Sequence, residues 1–194
     1  MFGSLLVYAC VTTFSPGPNN ILLLSMAGQQ GVKKCLKLMA GIWTGFFFVM
    51  VCCGLFSAGL AKTVPEIMPY AKYVGAAYIL WLAWKTVVRR PIETGNEDQK
   101  EPSFFMGFVL QLVNVKIILY GISAFTGFIL PYAKGTAILL FYSFVLMAAG
   151  AAGNLTWAFI GNICQRFYSK YYRAFNIVMA LLLLWCAYKM IMAS

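Results

Sequence analysis

The chain has 194 residues, 62% of them hydrophobic, with 15 basic and 5 acidic side chains and a mean hydropathy of +0.80. That balance excludes an ordinary soluble domain and points to a membrane protein. A net charge of +10 would suggest a nucleic-acid partner in a soluble chain; here the lipid bilayer is the partner and no nucleic acid is expected.

Apolar runs long enough to cross roughly 30 Å of hydrocarbon fall at about 2–27, 38–60, 70–88, 104–130, 136–160 and 174–192. The first has no basic residue ahead of it and polar groups at its centre, so it reads as a retained span rather than a cleaved signal peptide. Lys33, Lys34 and Lys37 follow it. Lys85, Arg89, Arg90 and Lys100 gather about the third connection, and Arg166, Lys170 and Arg173 about the fifth. By the positive-inside rule these loops are cytoplasmic and both termini lie outside, although Lys189 is a mild contrary signal.

Residues 89–103, RRPIETGNEDQKEPS, form the one polar boundary and read as a cytoplasmic linker. They divide residues 1–88 (helices 1 to 3) from residues 104–194 (helices 4 to 6). Glu93, Glu97, Asp98 and Glu101 lie in this linker and Glu66 in a short connection, so no span carries a carboxylate. Three helices per half place the second half in the membrane upside down relative to the first. The expected fold is therefore an all-α membrane protein of six transmembrane helices in two inverted three-helix repeats, a plan whose site is marked by interrupted segments at matching positions.

Both first helices are interrupted. FSPGPNNILLL (14–24) puts Pro16, Gly17, Pro18, Asn19 and Asn20 inside span one, while span four contains Gln111, Asn114 and Lys116. At 1.5 Å per residue, Gly17 and Asn114 each lie about ten residues, or roughly 15 Å, from the cytoplasmic face, so the two interruptions meet at mid-membrane. Pro16 and Pro18 stop the first helix near Phe14 or Ser15, and Pro18 opens a second half-helix. Its first amides (Asn19, Asn20, Ile21) offer a positive dipole end for an anionic group. The carbonyls released near Phe14 and Ser15 are expected to hold a cationic one, and together the two ends suit a zwitterion. Lys116 is costly at this depth and has no in-span carboxylate to pair with.

In span five, Asn154 and Trp157 can line a cavity, and Asn154 reads equally well as an interhelical hydrogen-bonding residue. The Asn154-Leu-Thr156 sequon is discarded because it lies within a span. Gly41 and Gly45 place two glycines on one helix face, read first as internal packing and second as a homodimer contact. The six cysteines form no CxxC and the chain has no His, so neither a zinc site nor a cofactor is expected.

SPGPNNILLL resembles the signature of the LysE/RhtB family of bacterial amino-acid exporters. LQLVNVKIILYGISAFTGFILP, GAAYILWLAWK and FNIVMALLLLWCAYK look like its cysteine/O-acetylserine exporter branch. The resemblance implies an inner-membrane exporter of small neutral amino acids, not an enzyme, with protons as coupling ion. Its span-one motif falls on Pro16, Gly17, Pro18 and Asn19, and its Asn-Pro-Lys element on Asn114, Val115 and Lys116. Val115 in place of proline implies a softer second break, and Asn19 in place of the aspartate of some members removes an obvious proton carrier. The substrate-binding set is thus Ser15, Pro16, Gly17, Pro18, Asn19, Asn20, Gln111, Asn114, Lys116 and Asn154, with Lys116 and the amides after Gly17 on the carboxylate. A divalent-metal transporter is the alternative, opposed by the lack of in-span carboxylates. A transmembrane thiol carrier would need paired core cysteines.

Overall fold

The computed structural model describes residues 2–88, 102–132 and 135–192. The expected linker lies outside these residues, apart from Pro102 and Ser103. Every regular element among the described residues is helical: α1 (Phe2–Phe14), α2 (Pro18–Gln30), α3 (Leu36–Val88), α4 (Phe104–Val113), α5 (Val115–Ala124), α6 (Thr136–Ile163) and α7 (Gln165–Met192). A 3₁₀ turn, Val32–Cys35, leads into α3, and a π turn, Phe125–Ile129, ends α5.

Among the described residues, two segments are long and apolar enough to cross a membrane singly, Val32–Phe56 and Thr136–Ile163. The pair Phe104–Val113 and Val115–Ile129, bent by 62°, makes a third if counted as one span. The first predicted span is two helices, α1 and α2, separated at Ser15–Gly17 where the prolines forbid continuation. Gly31 ends α2 with φ 81°, a conformation only glycine adopts freely, and its amide donates to the Ala27 carbonyl at 2.9 Å.

Predicted spans two and three fall within one continuous helical assignment, α3, of 53 residues. Gly41 nevertheless packs on the Phe104 carbonyl, and the Tyr78 hydroxyl donates to the Met106 carbonyl at 3.0 Å, one turn of α4 serving both. Along a straight helix residues 41 and 78 would be roughly 55 Å apart. The chain therefore reverses direction between them, so that both stretches reach α4. α7 likewise departs from helical geometry once, at Tyr171 (φ −125°, ψ 32°), just before the apolar stretch of predicted span six.

α2 is the centre of the molecule: all 13 of its residues are buried. One apolar cluster surrounds it, drawing Leu38, Ile42, Ile79, Leu82, Met179 and Leu183 from α3 and α7. A second lies beyond the breaks, where Leu5, Met50, Ile117, Phe125 and Leu146 join α1, α3, α5 and α6. The polar breaks are enclosed between the two.

Close approach of the helices rests on glycine. A methyl group on Gly41 would overlap the Phe104 carbonyl, on Gly107 the Leu38 carbonyl, and on Gly161 the Leu24 carbonyl. The expectation that Gly41 serves internal packing is met in this geometry, since it faces α4. Gly41→Val should push α3 from α4 and, as an overpacked contact, cost on the order of 1–3 kcal/mol. A lowered melting temperature in detergent and a smaller monodisperse fraction on size-exclusion chromatography would register it; an unchanged melt would contradict the contact.

Candidate functional site

The two helix breaks meet. Asn114, between α4 and α5, has ψ 93° and is extended. Its neighbour Val115 lacks proline's constraint, yet the helix pair is bent by 62° there. Side-chain bonding takes proline's place: Asn114 Nδ2 donates to Asn19 Oδ1 at 3.2 Å, holding the loosened turn against the first break.

Around that contact runs a ladder of amides. Asn19 Nδ2 donates to Gln111 Oε1 at 2.8 Å, and Gln111 Nε2 returns a bond to Asn19 Oδ1 at 3.1 Å and another to the Gly107 carbonyl at 3.1 Å. Asn20 Nδ2 donates to the carbonyls of Thr13 (2.8 Å) and Ser15 (3.0 Å), while its Oδ1 accepts from Asn154 Nδ2 at 2.8 Å. Each buried group left without a partner here would cost about 1–3 kcal/mol, so the ladder holds the breaks in register.

Lys116 crosses the gap. Its Nζ donates to the Ser15 hydroxyl at 2.8 Å and to the Ser15 carbonyl at 3.1 Å, and that hydroxyl in turn donates to the Thr12 carbonyl at 2.7 Å. Trp157 Nε1 donates to the Phe14 carbonyl at 3.2 Å. The carbonyls of Phe14 and Ser15, expected to bind a cationic ligand group, accept from internal donors in this structure. Gly17 is extended (φ −163°, ψ 173°), a backbone any residue adopts, so its role is space rather than a special turn. A Cβ there would lie 2.9 Å from Lys116 Nζ and 3.1 Å from its Cδ.

Beside Lys116 opens a chamber of about 410 Å³, walled by Tyr8, Leu119, Tyr120, Trp185 and Cys186 and floored by Pro16, Gly17, Pro18 and Asn114. A niche of about 30 Å³ adjoins it, bounded by Thr12, Thr13, Asn20, Tyr120 and Asn154. Every residue of the predicted substrate set lies on these cavities or in the ladder beside them. Of Asn154's two readings, the structure supports both at once: it bonds α6 to α2 and lines the niche.

Sequence reasoning missed Tyr120, Tyr8 and the Thr12–Thr13 pair. Nothing in an apolar run marks one tyrosine as cavity-facing, although Tyr120 sits one helical turn beyond Lys116 and therefore shares its face. At the opposite end of α2, Gln29 Nε2 donates to Ser25 Oγ (2.9 Å) and to Asn176 Oδ1 (3.3 Å), a second buried polar contact that the sequence did not suggest.

Residues 10–194 match the LysE type translocator family. The chain belongs to that family. It is 43% identical over 180 residues to the cysteine/O-acetylserine efflux protein of Salmonella typhimurium (strain LT2), covering 93% of this chain and 92% of the relative. It is 42% identical, with the same coverage, to the proteins of that name from Escherichia coli (strain K12) and Shigella flexneri serotype 5b. No solved structure matches it significantly. This translocator, a multi-pass membrane protein and not an enzyme, thus holds a lysine across two broken helices beside a cavity.

Because Gly17 is extended and its new neighbour would be a flexible side-chain end, Gly17→Ala should fold normally yet displace Lys116 Nζ from Ser15. Transport should fall at least about tenfold, the effect of a charged contact worth some 1.5 kcal/mol, with the detergent melting temperature within a few degrees of wild type. Wild-type flux in this variant would show that Lys116's position does not matter.

Proposed function

We propose that this chain is a secondary transporter that exports small neutral amino acids, cysteine, O-acetylserine or close analogues, from the bacterial cytoplasm across the inner membrane. The observation that carries the reading is Lys116. Among the described residues its ammonium group is held between the two helix breaks by Ser15 alone, and it faces a chamber of amino-acid size. A substrate carboxylate can replace Ser15 on Nζ while meeting the amides of Asn19 and Asn20 at the start of α2; the Ile21 amide already donates to the Gly17 carbonyl at 2.9 Å. The efflux relatives supply the substrate class.

The inverted-repeat plan has specific support. The helix broken at Gly17 is gripped by α6 through Gly153, set against the Thr13 carbonyl, and Gly161, set against Leu24. The helix broken at Asn114 is gripped by α3 through Gly41 and Gly45. If the halves are repeats of three spans, each broken first helix lies against the second helix of the other half, the exchange that a two-fold axis in the membrane plane produces. With both termini periplasmic, the chamber lies on the outer side of the breaks, where Tyr8, Leu119, Ser123 and Trp185 line it. The fully buried α2 closes the inner side, so the conformation is outward-facing.

Protons are the proposed coupling ion, and Lys116 the residue through which they act, since Asn19 occupies the position where a carboxylate could have served. Charged, it holds the carboxylate; neutral, it releases it. Arginine keeps the charge but does not deprotonate in proteins, so it separates binding from coupling.

Proteoliposomes loaded with labelled cysteine, O-acetylserine, serine or lysine should release the small neutral substrates selectively, faster under a pH gradient. Lys116→Met should abolish release. Lys116→Arg should retain substrate exchange at zero gradient but lose acceleration by the gradient. Release of lysine alone would overturn the substrate class, and gradient-driven release by Lys116→Arg would remove Lys116 from coupling.

A further inference from the structure

The niche of about 30 Å³ behind Lys116 has a chemistry set by its amides. Gln111 is oriented by the Gly107 carbonyl, which requires its Nε2. Its Oε1 must then accept from Asn19 Nδ2, leaving Asn19 Oδ1 to accept from both Gln111 Nε2 and Asn114 Nδ2. Asn114 is left with a free oxygen. On the other wall, Asn20 is oriented by the Thr13 and Ser15 carbonyls, so its Oδ1 must accept from Asn154 Nδ2. Asn154 too is left with a free oxygen. Backbone carbonyls thus fix the sense of all five amides, and the ladder ends at both walls in an acceptor.

Tyr120 adds a third oxygen. Asn114 Oδ1, Asn154 Oδ1 and the Tyr120 hydroxyl have no hydrogen-bond partner among the described residues, and the three side chains are only 2%, 4% and 2% exposed. All three residues line the niche. Burial of such groups unpaired is expensive, so a donor is called for. A primary ammonium offers three N–H donors to three acceptors and fits a space of one water's size.

Lys116 lines the same niche, and a bare cation there would face its charge with no acidic side chain described nearby. A zwitterion avoids this, because it brings its own carboxylate. Gly17, Pro18, Asn114, Lys116 and Tyr120 line both niche and chamber, so a ligand can occupy the two together.

We propose that the niche is the subsite for the substrate's α-ammonium group, accepted by Asn114 Oδ1, Asn154 Oδ1 and the Tyr120 hydroxyl. This rests on the export reading above. The carboxylate then lies on Lys116 and the α2 amides, and the side chain projects into the larger, mostly apolar chamber. Tyr120 thereby joins the binding residues, its ring held against Tyr8 at 5.5 Å between centroids.

The test compares binding of L-cysteine with that of 3-mercaptopropionate, the same molecule without its amine, to purified protein under reducing conditions. Wild type should prefer cysteine by about tenfold to a hundredfold, the range for a hydrogen-bonded charged group. In Asn154→Leu that preference should collapse toward equal binding of the two ligands. Tyr120→Phe, which retains the stacked ring, should lose part of it and guards against a misfolded Asn154 variant. Lys116→Met should weaken both ligands together. A preference that survives in both Asn154→Leu and Tyr120→Phe overturns the subsite, as does equal binding of the two ligands to wild type, which would leave the Lys116 carboxylate site standing. Binding that requires sodium equally for both ligands would make the niche a metal-cation site instead. Failure of wild type to bind either ligand would sink the export reading and the subsite with it.

Discussion

An open helix turn inside an apolar protein must find partners for its backbone, and this requirement organises the rest of the fold. Pro16 and Pro18 offer no amide to the Thr12 and Phe14 carbonyls, and because the helix stops at Phe14 the neighbouring carbonyls lose their helical partners as well. Those of Thr13, Phe14 and Ser15 instead accept from Asn20, Trp157 and Lys116. The three donors come from α2, α6 and α5, so a local defect in one helix is repaired by three others. The repair explains why polar residues occur where they do. Asn20, Trp157 and Lys116 each answer a carbonyl that the break exposes.

Such repair needs helices at unusually short range, which is the work of small residues. α6 comes near enough for Asn154 to reach Asn20 because Gly153 lies against the Thr13 carbonyl and Gly161 against Leu24. α3 comes near enough to α4 through Gly41, Gly45 and Gly107, and Gly45 packs directly on Gln111 of the ladder. In a bilayer, where burial of apolar area gives little drive for helix association, close contact and buried hydrogen bonds supply it instead. Here both act on the same pair of breaks.

Much of this was legible in the residues. Two prolines around a glycine can only break a helix, and polar side chains at matching depth in another apolar run announce a partner. Lys116 was conspicuous because a lysine has no bland reading in such a place. What sequence could not give was the use of each group. The carbonyls near Phe14 and Ser15 look free in the sequence, yet Asn20 and Lys116 donate to Ser15 and the distant Trp157 donates to Phe14. Asn114 bends its helix by 62° without proline because Asn19 holds it, and that contact is purely tertiary. Tyr120 carries no signal against a background of aromatic core residues.

The neutrality of the ladder bears on how such a site can work repeatedly. A carboxylate beside Lys116 would form a buried ion pair, and a ligand would have to displace a full charge to reach the ammonium group. Ser15 offers only a hydroxyl and a carbonyl, partners strong enough to keep the lysine in place yet weaker than an incoming carboxylate. The same reasoning covers Asn19, which anchors Gln111 and Asn114 by exchangeable amide bonds. Neutral groups can re-pair at modest cost as helices shift, whereas a charge stranded midway could not. A pathway that must bind a zwitterion on one side of a membrane and release it on the other is better served by one lysine among amides than by a matched pair of charges, because the ligand itself then completes the electrostatics.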